Sequence, residues 1–222
     1  MSFLSDKDAK IVGERLGKLS RPVTLAVFTQ EFECDYCKET RELAQELAGL
    51  SGGKLKTEVF DLVRDKARAD ALGIDKIPAV AVLGEKGEDH RIRFFGIPAG
   101  YEFTSLLEAI DLMSKGDSGL SPATREKLKG LSSPLNLQVF VTPTCPYCPK
   151  AVVTAFRMAM ESSHISASMV EATEFPQLAN RYQVSGVPHT VIGDSPQPMV
   201  GAYPEAAAAD MVLAVAQGVR AS

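Results

Sequence analysis

The chain repeats itself. A β-forming run, PVTLAVFT from Pro22 to Thr29, leads into a Cys-x-x-Cys at Cys34 and Cys37. A second run, PLNLQVFVT, begins 112 positions later at Pro134 and leads into a Cys-x-x-Cys at Cys145 and Cys148. Helical periodicity follows each pair, through Leu43, Leu47 and Leu50 in the first copy and Val152, Ala155, Met158 and Met160 in the second. Each copy continues with a short strand (LKTEVFDL, ISASMVEA) and a polar helix (DKARADALGI, EFPQLANRYQV). An apolar-Pro step then enters a hairpin, at Ile77-Pro78 in one copy and Val187-Pro188 in the other, and a glycine (Gly96, Gly201) precedes a closing helix. Pro78 lies 44 residues after Cys34 and Pro188 lies 43 after Cys145. A period of this length constrains the fold more than any composition does.

The order in each copy is β-α-β-α-β-β-α behind an additional N-terminal helix. The first two strands of a copy are joined through a helix and are expected parallel, while the last two form an antiparallel hairpin. The reading is therefore α/β: two tandem units, each a central mixed sheet flanked by helices. Residues 1–115 and 122–222 are the expected units, with 116–121, inside the turn-rich SKGDSGLSP, as a linker too short to let them swing freely.

Composition narrows the function. A formal charge of -4 in 222 residues gives no nucleic-acid footprint, and no apolar run approaches the length of a membrane span. The opening MSFLSDKDAKIVGERLGKLS reads as an amphipathic helix without the apolar core of a signal peptide, so a cytoplasmic address is expected. There, paired cysteines are more often redox-active or metal-binding than structural.

A strand, a Cys-x-x-Cys opening a helix, and an apolar-Pro before a hairpin resemble the thioredoxin fold. With CPYC, the glutaredoxin signature, and GVP, similar to a cis-proline loop, the doubled arrangement resembles the protein disulfide oxidoreductases of thermophilic archaea and bacteria. These are glutaredoxin-like relatives of protein disulfide isomerase. The N-terminal module of bacterial alkyl hydroperoxide reductase flavoproteins doubles the same fold but keeps one Cys-x-x-Cys, whereas this chain keeps two. Unlike thioredoxins proper, it has no Trp, and Phe28 and Val139 stand six positions before the two first cysteines where thioredoxins carry a buried Asp. The sequence thus names no proton acceptor for the resolving thiol.

The resemblance implies intra-pair disulfides at Cys34–Cys37 and Cys145–Cys148, and prolines 78 and 188 in cis beside them, with Ile77 and Val187 lending backbone to a substrate chain. Sequence alone does not show the isomer. A cysteine at a helix N-terminus has a lowered pKa, so Cys34 and Cys145 are the expected nucleophiles and Cys37 and Cys148 the resolving thiols. Asp35, Tyr36, Pro146 and Tyr147 fill the gaps between the cysteines and are expected to tune the two centres. His189 reads as a solvated strand-end residue.

No Gly-x-Gly-x-x-Gly follows a strand, so the redox-active disulfides are the only expected cofactor, no metal is expected, and electrons come from outside. The resemblance implies a thioredoxin-reductase-like flavoprotein as donor and protein disulfides or thiols as substrates, with a peroxiredoxin as a further partner. The main reading is a protein disulfide oxidoreductase that reduces, forms or isomerises disulfides. One alternative is a dedicated electron carrier to a peroxidase, and another is a peptide-binding tandem module of chaperone type. The alternative of another chemistry is a structural zinc protein, although zinc-binding pairs usually lie much closer than the 107 residues between Cys37 and Cys145.

Overall fold

The computed structural model describes residues 3–218. Its first half runs α1 (Asp6–Leu16), β1 (Val23–Thr29), α2 (Cys37–Leu50), β2 (Leu55–Asp61), α3 (Lys66–Ala71), β3 (Ala79–Gly84), β4 (Asp89–Phe95) and α4 (Glu102–Lys115). The second half repeats that order: α5 (Pro122–Leu128), β5 (Leu135–Val141), α6 (Cys148–Glu161), β6 (Ile165–Glu171), α7 (Pro176–Arg181), β7 (His189–Ile192), β8 (Met199–Val200) and α8 (Glu205–Ala216). The expected succession is present in both copies.

The central sheets of the two units are joined, and the strands form one sheet of eight, in the order β2-β1-β3-β4-β6-β5-β7-β8. The copies join where β4 runs parallel to β6, with Ile92 opposite Ala167 and Phe94 opposite Met169. Phe94 is fully buried there and meets Phe156 of α6 edge-on, at 5.1 Å between ring centroids. Arg91 reinforces the seam by donating to the carbonyls of Ile165 (2.9 Å) and Ser162 (3.0 Å).

Alternation along the central strands divides the core, because successive side chains point to opposite faces. Val23, Leu25 and Val27 face a large cluster shared with α1, α2, α4, α6 and α8, as do Leu137, Val139 and Val141. Ala26, Phe28 and Phe140 face the other side, toward residues of α3 and α7. Those two helices have only six residues each. They leave the middle of their face as an open polar cleft lined by Arg91, Arg93, Gln138 and Ser168.

The topology fixes where the cysteines go. β1 is antiparallel to β3, β3 is antiparallel to β4, and β4, β6 and β5 are mutually parallel. Strands β1 and β5 therefore point the same way, and the loops that follow them emerge on one edge of the sheet. Four strand-to-strand steps separate β1 from β5, roughly 19 Å at the usual spacing.

Helix α5 opens the second copy with Pro122 in its first turn and Ser121 as N-cap, whose Oγ accepts the Thr124 N–H (3.3 Å). Pro there loses no hydrogen bond, since the first N–H groups of a helix are unpaired anyway. Ser121→Ala is expected to destabilise the protein by about 1 kcal/mol, a loss of about 2–4 °C in Tm. Thermal unfolding of the oxidised protein checks this, and an unchanged Tm would show that the cap is dispensable.

Candidate active site

In both copies a buried strand delivers the chain to a short loop, and a helix begins at the second cysteine. All four cysteines are paired, Cys34 with Cys37 and Cys145 with Cys148, each pair at a Cα–Cα distance of 5.5 Å. Neither α2 nor α6 has a side-chain cap on its first turn. Their leading N–H groups, and the positive end of the helix dipole, are left to the adjacent sulfurs.

The two loops differ in construction. Glu33 adopts a left-handed backbone (φ 57°), and the Gln30 amide donates to the Phe32 carbonyl (2.9 Å), shaping the first loop. In the second, the Cys145 N–H donates to Thr142 O at 3.1 Å, and Pro143 O accepts the Tyr101 N–H from the first half of the chain (2.9 Å). That contact needs Gly100, because a Cβ there would collide with the Pro143 carbonyl. Covered in this way, Cys145 is 7% exposed and Cys148 is fully buried. Cys34, by contrast, is half-buried above a buried Cys37. Tyr36 and Tyr147 share the slot between the cysteines, and both are exposed, Tyr147 at 71%. Asp35 and Pro146 are exposed beside them.

The Ile77-Pro78 and Val187-Pro188 bonds are both cis. Strand register places them: Phe28 pairs with Ala79 and Phe140 with His189, so each proline lies at the strand end that launches a cysteine loop. The following glycines hold these prolines through the backbone, Gly96 N–H donating to Pro78 O (2.9 Å) and Gly201 N–H to Pro188 O (2.8 Å). Both glycines have positive φ (92° and 107°), which a side chain would resist.

His189 departs from its expected place. It is 3% exposed, sits edge-on to Phe140, and neither ring nitrogen has a hydrogen-bond partner. Burial therefore lowers its pKa and keeps the ring neutral.

Two acids near the centres were not recognised from the sequence. Glu102, at the start of α4, is 1% exposed; its Oε2 accepts the Ser105 hydroxyl (2.6 Å) while Oε1 has no partner. Burial pushes its pKa up to about 7, against the pull of the Ser105 hydrogen bond. Its neighbour Tyr101 carries the bond to Pro143, two residues from Cys145. Glu174, in the turn after β6, is half-buried and also raised to about 7, chiefly by burial, with added repulsion from Glu171 and Asp35. In the sequence, Glu102 is indistinguishable from an ordinary first-turn acid favoured by the helix dipole. Only its burial in the folded chain reveals it.

Among the described residues no group of three or more His, Cys, Asp or Glu side chains is arranged to hold a metal ion. Moreover, with the pairs four strands apart, no single ion reaches all four sulfurs.

Comparison with known proteins agrees with this geometry. Residues 135–213 match the thioredoxin-domain family. The F component of alkyl hydroperoxide reductase from Staphylococcus epidermidis is 29% identical over 141 residues, covering 64% of this chain and 25% of that protein. The Pseudomonas aeruginosa protein of the same name is 26% identical over 173 residues, covering 78% of this chain and 30% of that protein. The chain thus spans less than a third of the length of these curated relatives. The NTD_N/C domain of alkylhydroperoxide reductase AhpF from Enterococcus faecalis superposes with a TM-score of 0.86 at 26% identity, covering 95% of this chain and 100% of that one. A protein disulfide oxidoreductase from Aeropyrum pernix superposes with a TM-score of 0.90 at 31% identity, covering 100% of this chain and 97% of that one. With a likeness that runs end to end and a disulfide at both Cys-x-x-Cys positions, the chain belongs to the protein disulfide oxidoreductases.

Proposed function

We propose that the chain is a thiol–disulfide oxidoreductase acting on protein disulfides through two centres, one in each of the units 1–115 and 122–222, with 116–121 as linker. The observation that carries this reading is the pairing, twice on one sheet edge, of a Cys-x-x-Cys disulfide at an uncapped helix start with a cis-proline loop. In the reduced form, the thiolate of Cys34 or Cys145 attacks one sulfur of a substrate disulfide and expels the other as a thiolate. Cys37 or Cys148 then attacks the mixed disulfide, the substrate leaves with both sulfurs reduced, and the enzyme pair is left oxidised. Two electrons and two protons restore the dithiol, and we assign their supply to a thioredoxin-reductase-like flavoprotein.

Backbone groups at Ile77-Pro78 and Val187-Pro188 receive the substrate chain, while Asp35, Tyr36, Pro146 and Tyr147 tune the sulfurs. Exposed aromatics support a polypeptide substrate: Phe32, Tyr36, Tyr101, Tyr147 and Tyr203 all follow strands that end on the cysteine-bearing edge. No helix among the described residues is long and apolar enough to cross a membrane. We place the protein in the cytoplasm.

The likeness to proteins named for alkyl hydroperoxide reductase favours a second reading, in which the chain carries electrons to a peroxidase such as a peroxiredoxin. Two assays separate the readings. Insulin reduction with dithiothreitol, together with refolding of a scrambled disulfide protein, should proceed at catalytic protein concentration under the first. Under the second, those rates stay at background, and peroxide is consumed only when a reductase and a peroxiredoxin are added.

A further inference from the structure

The first redox centre borrows a carboxyl from the other half of the chain. Glu174 follows β6, yet its Oε1 accepts the N–H of Ile97 (2.7 Å), on the segment leaving β4. The adjacent Gly96 N–H donates to the carbonyl of Pro78, the cis-proline of the first centre. One short backbone path therefore links Glu174 to the proline loop beside Cys34 and Cys37. Gly96 makes the approach possible, since a Cβ there would lie 2.5 Å from the Glu171 Cβ and 2.7 Å from Glu174 Oε1. At its other end Glu174 is fixed by its own N–H, which donates to Glu171 Oε2 (2.6 Å). The charged groups facing it are Glu171, from its own strand end, and Asp35, between the two cysteines of the first centre. Thr173 adds a hydroxyl, itself donated to Glu171 (2.6 Å). The hydrogen-bonded path through Ile97 and Gly96 to Pro78 sets the carboxyl beside the first redox loop, and Asp35 of that loop repels it.

We propose that Glu174 is a positioning residue for charge at the Cys34–Cys37 centre, so that the second half of the chain sets the thiolate chemistry of the first. The proposal rests on the oxidoreductase reading above. When Glu174 is protonated, the first loop carries one negative charge fewer and Cys34 ionises more readily. When Glu174 is ionised, like-charge repulsion holds the proton on Cys34. Because Glu174 titrates close to neutrality, the two groups lose their protons as a coupled pair over a widened pH range. At the second centre the equivalent glycine, Gly201, meets nothing among the described residues within 4 Å of where its Cβ would stand.

The test uses the full chain with Cys145→Ser and Cys148→Ser, reduced, and follows iodoacetamide alkylation of Cys34 from pH 5 to 10. With Glu174 in place, the rate profile should be broader than a single titration. Glu174→Gln keeps an acceptor for the Ile97 N–H but removes the charge; it should narrow the profile to one step and lower its midpoint by about half a pH unit or more. Glu174→Asp keeps the charge and should preserve the broad profile. If Gln leaves the profile unchanged, or if Asp shifts it as much as Gln while both lower the Tm, Glu174 is structural and the proposal is wrong. Insulin reduction by the parent chain is measured alongside. Its absence would overturn the oxidoreductase reading, while the alkylation profiles still decide the role of Glu174.

Discussion

Insulin reduction by a chain carrying both Cys34→Ser and Cys145→Ser is expected to fall on the order of a thousandfold or more, to the background of dithiothreitol alone. A serine hydroxyl in the nucleophile's place has no thiolate to offer, and each resolving thiol is more deeply buried than its partner: Cys37 is 2% exposed and Cys148 fully buried. The single variants are expected to be unequal. Glu31, Glu33 and Asp35 lie in or beside the first loop, and Asp35 acts on Glu174 across from it. The second loop, Pro146-Tyr147, contains no acid and is followed by Lys150. Negative charge disfavours a thiolate, so Cys145 should titrate at lower pH than Cys34. Burial of Cys145 works the other way, and it also slows attack on a bulky disulfide. Thiolate fraction changes up to tenfold per pH unit on the acid side of a thiol's pKa, a larger lever at neutral pH than the difference in exposure. Cys145→Ser should therefore remove most of the activity at pH 7, and Cys34→Ser should leave a substantial part. Alkylation profiles separate the two effects, with the lower midpoint at Cys145 and the higher plateau at the half-buried Cys34. Full activity in the double variant would remove the cysteine mechanism altogether, and a lower midpoint at Cys34 would reverse the ranking of the centres.

At pH 8 and above, Glu102→Gln should be more stable than the parent by about 3 kcal/mol, worth about 6–12 °C in Tm. The sign follows from linkage. The folded chain holds the Glu102 proton up to about pH 7, whereas a glutamate's ordinary value is 4.5. The raised group therefore costs nothing below pH 4.5, and its contribution to stability is lost progressively as pH climbs through 7. Glutamine resembles the protonated carboxyl, can still accept the Ser105 hydrogen bond, and escapes that loss. The two chains should consequently unfold together near pH 4 and diverge as pH rises, which denaturant titrations at a series of pH values will show. A difference independent of pH would mean that Glu102 is not the buried titrating group. The parent thus keeps a destabilising acid next to Tyr101, whose N–H touches Pro143.

Much of this is legible in the sequence alone, for physical reasons that differ from residue to residue. The run VTLAVFT is apolar on both faces because β1 lies inside a sheet covered on both sides, and such runs announce themselves. Cys34 and Pro78, like Cys145 and Pro188, are spaced so as to bring a strand end and a hairpin start together. The short linker announces that the two units pack together, but which strands meet at the seam is not legible. Nothing local in DHRIRFF or ISASMVE distinguishes a strand that pairs across a seam from one at a free edge, and the pairing of β4 with β6 is set by the whole fold. His189 reads as solvated beside a proline, but its ring lies against Phe140 in the core. Glu102 escapes notice because its burial is tertiary, and Glu174 for the same reason as the burial of Cys145: each of these two takes a contact from the opposite half of the chain.

The shared edge carries one more consequence. With the strand ends that launch both loops separated by four strand steps, an extended peptide covers the distance between the centres in about six residues. A substrate cysteine held as a mixed disulfide at one centre would therefore present its near neighbours in sequence to the other at an effective concentration on the order of millimolar. The second exchange then becomes an intramolecular event, governed by tether length instead of by encounter. Substrates with two cysteines about six residues apart should be processed without release between steps, and those with much wider spacing should dissociate first. Two centres on one sheet edge in this way act as a ruler laid along the unfolded chain.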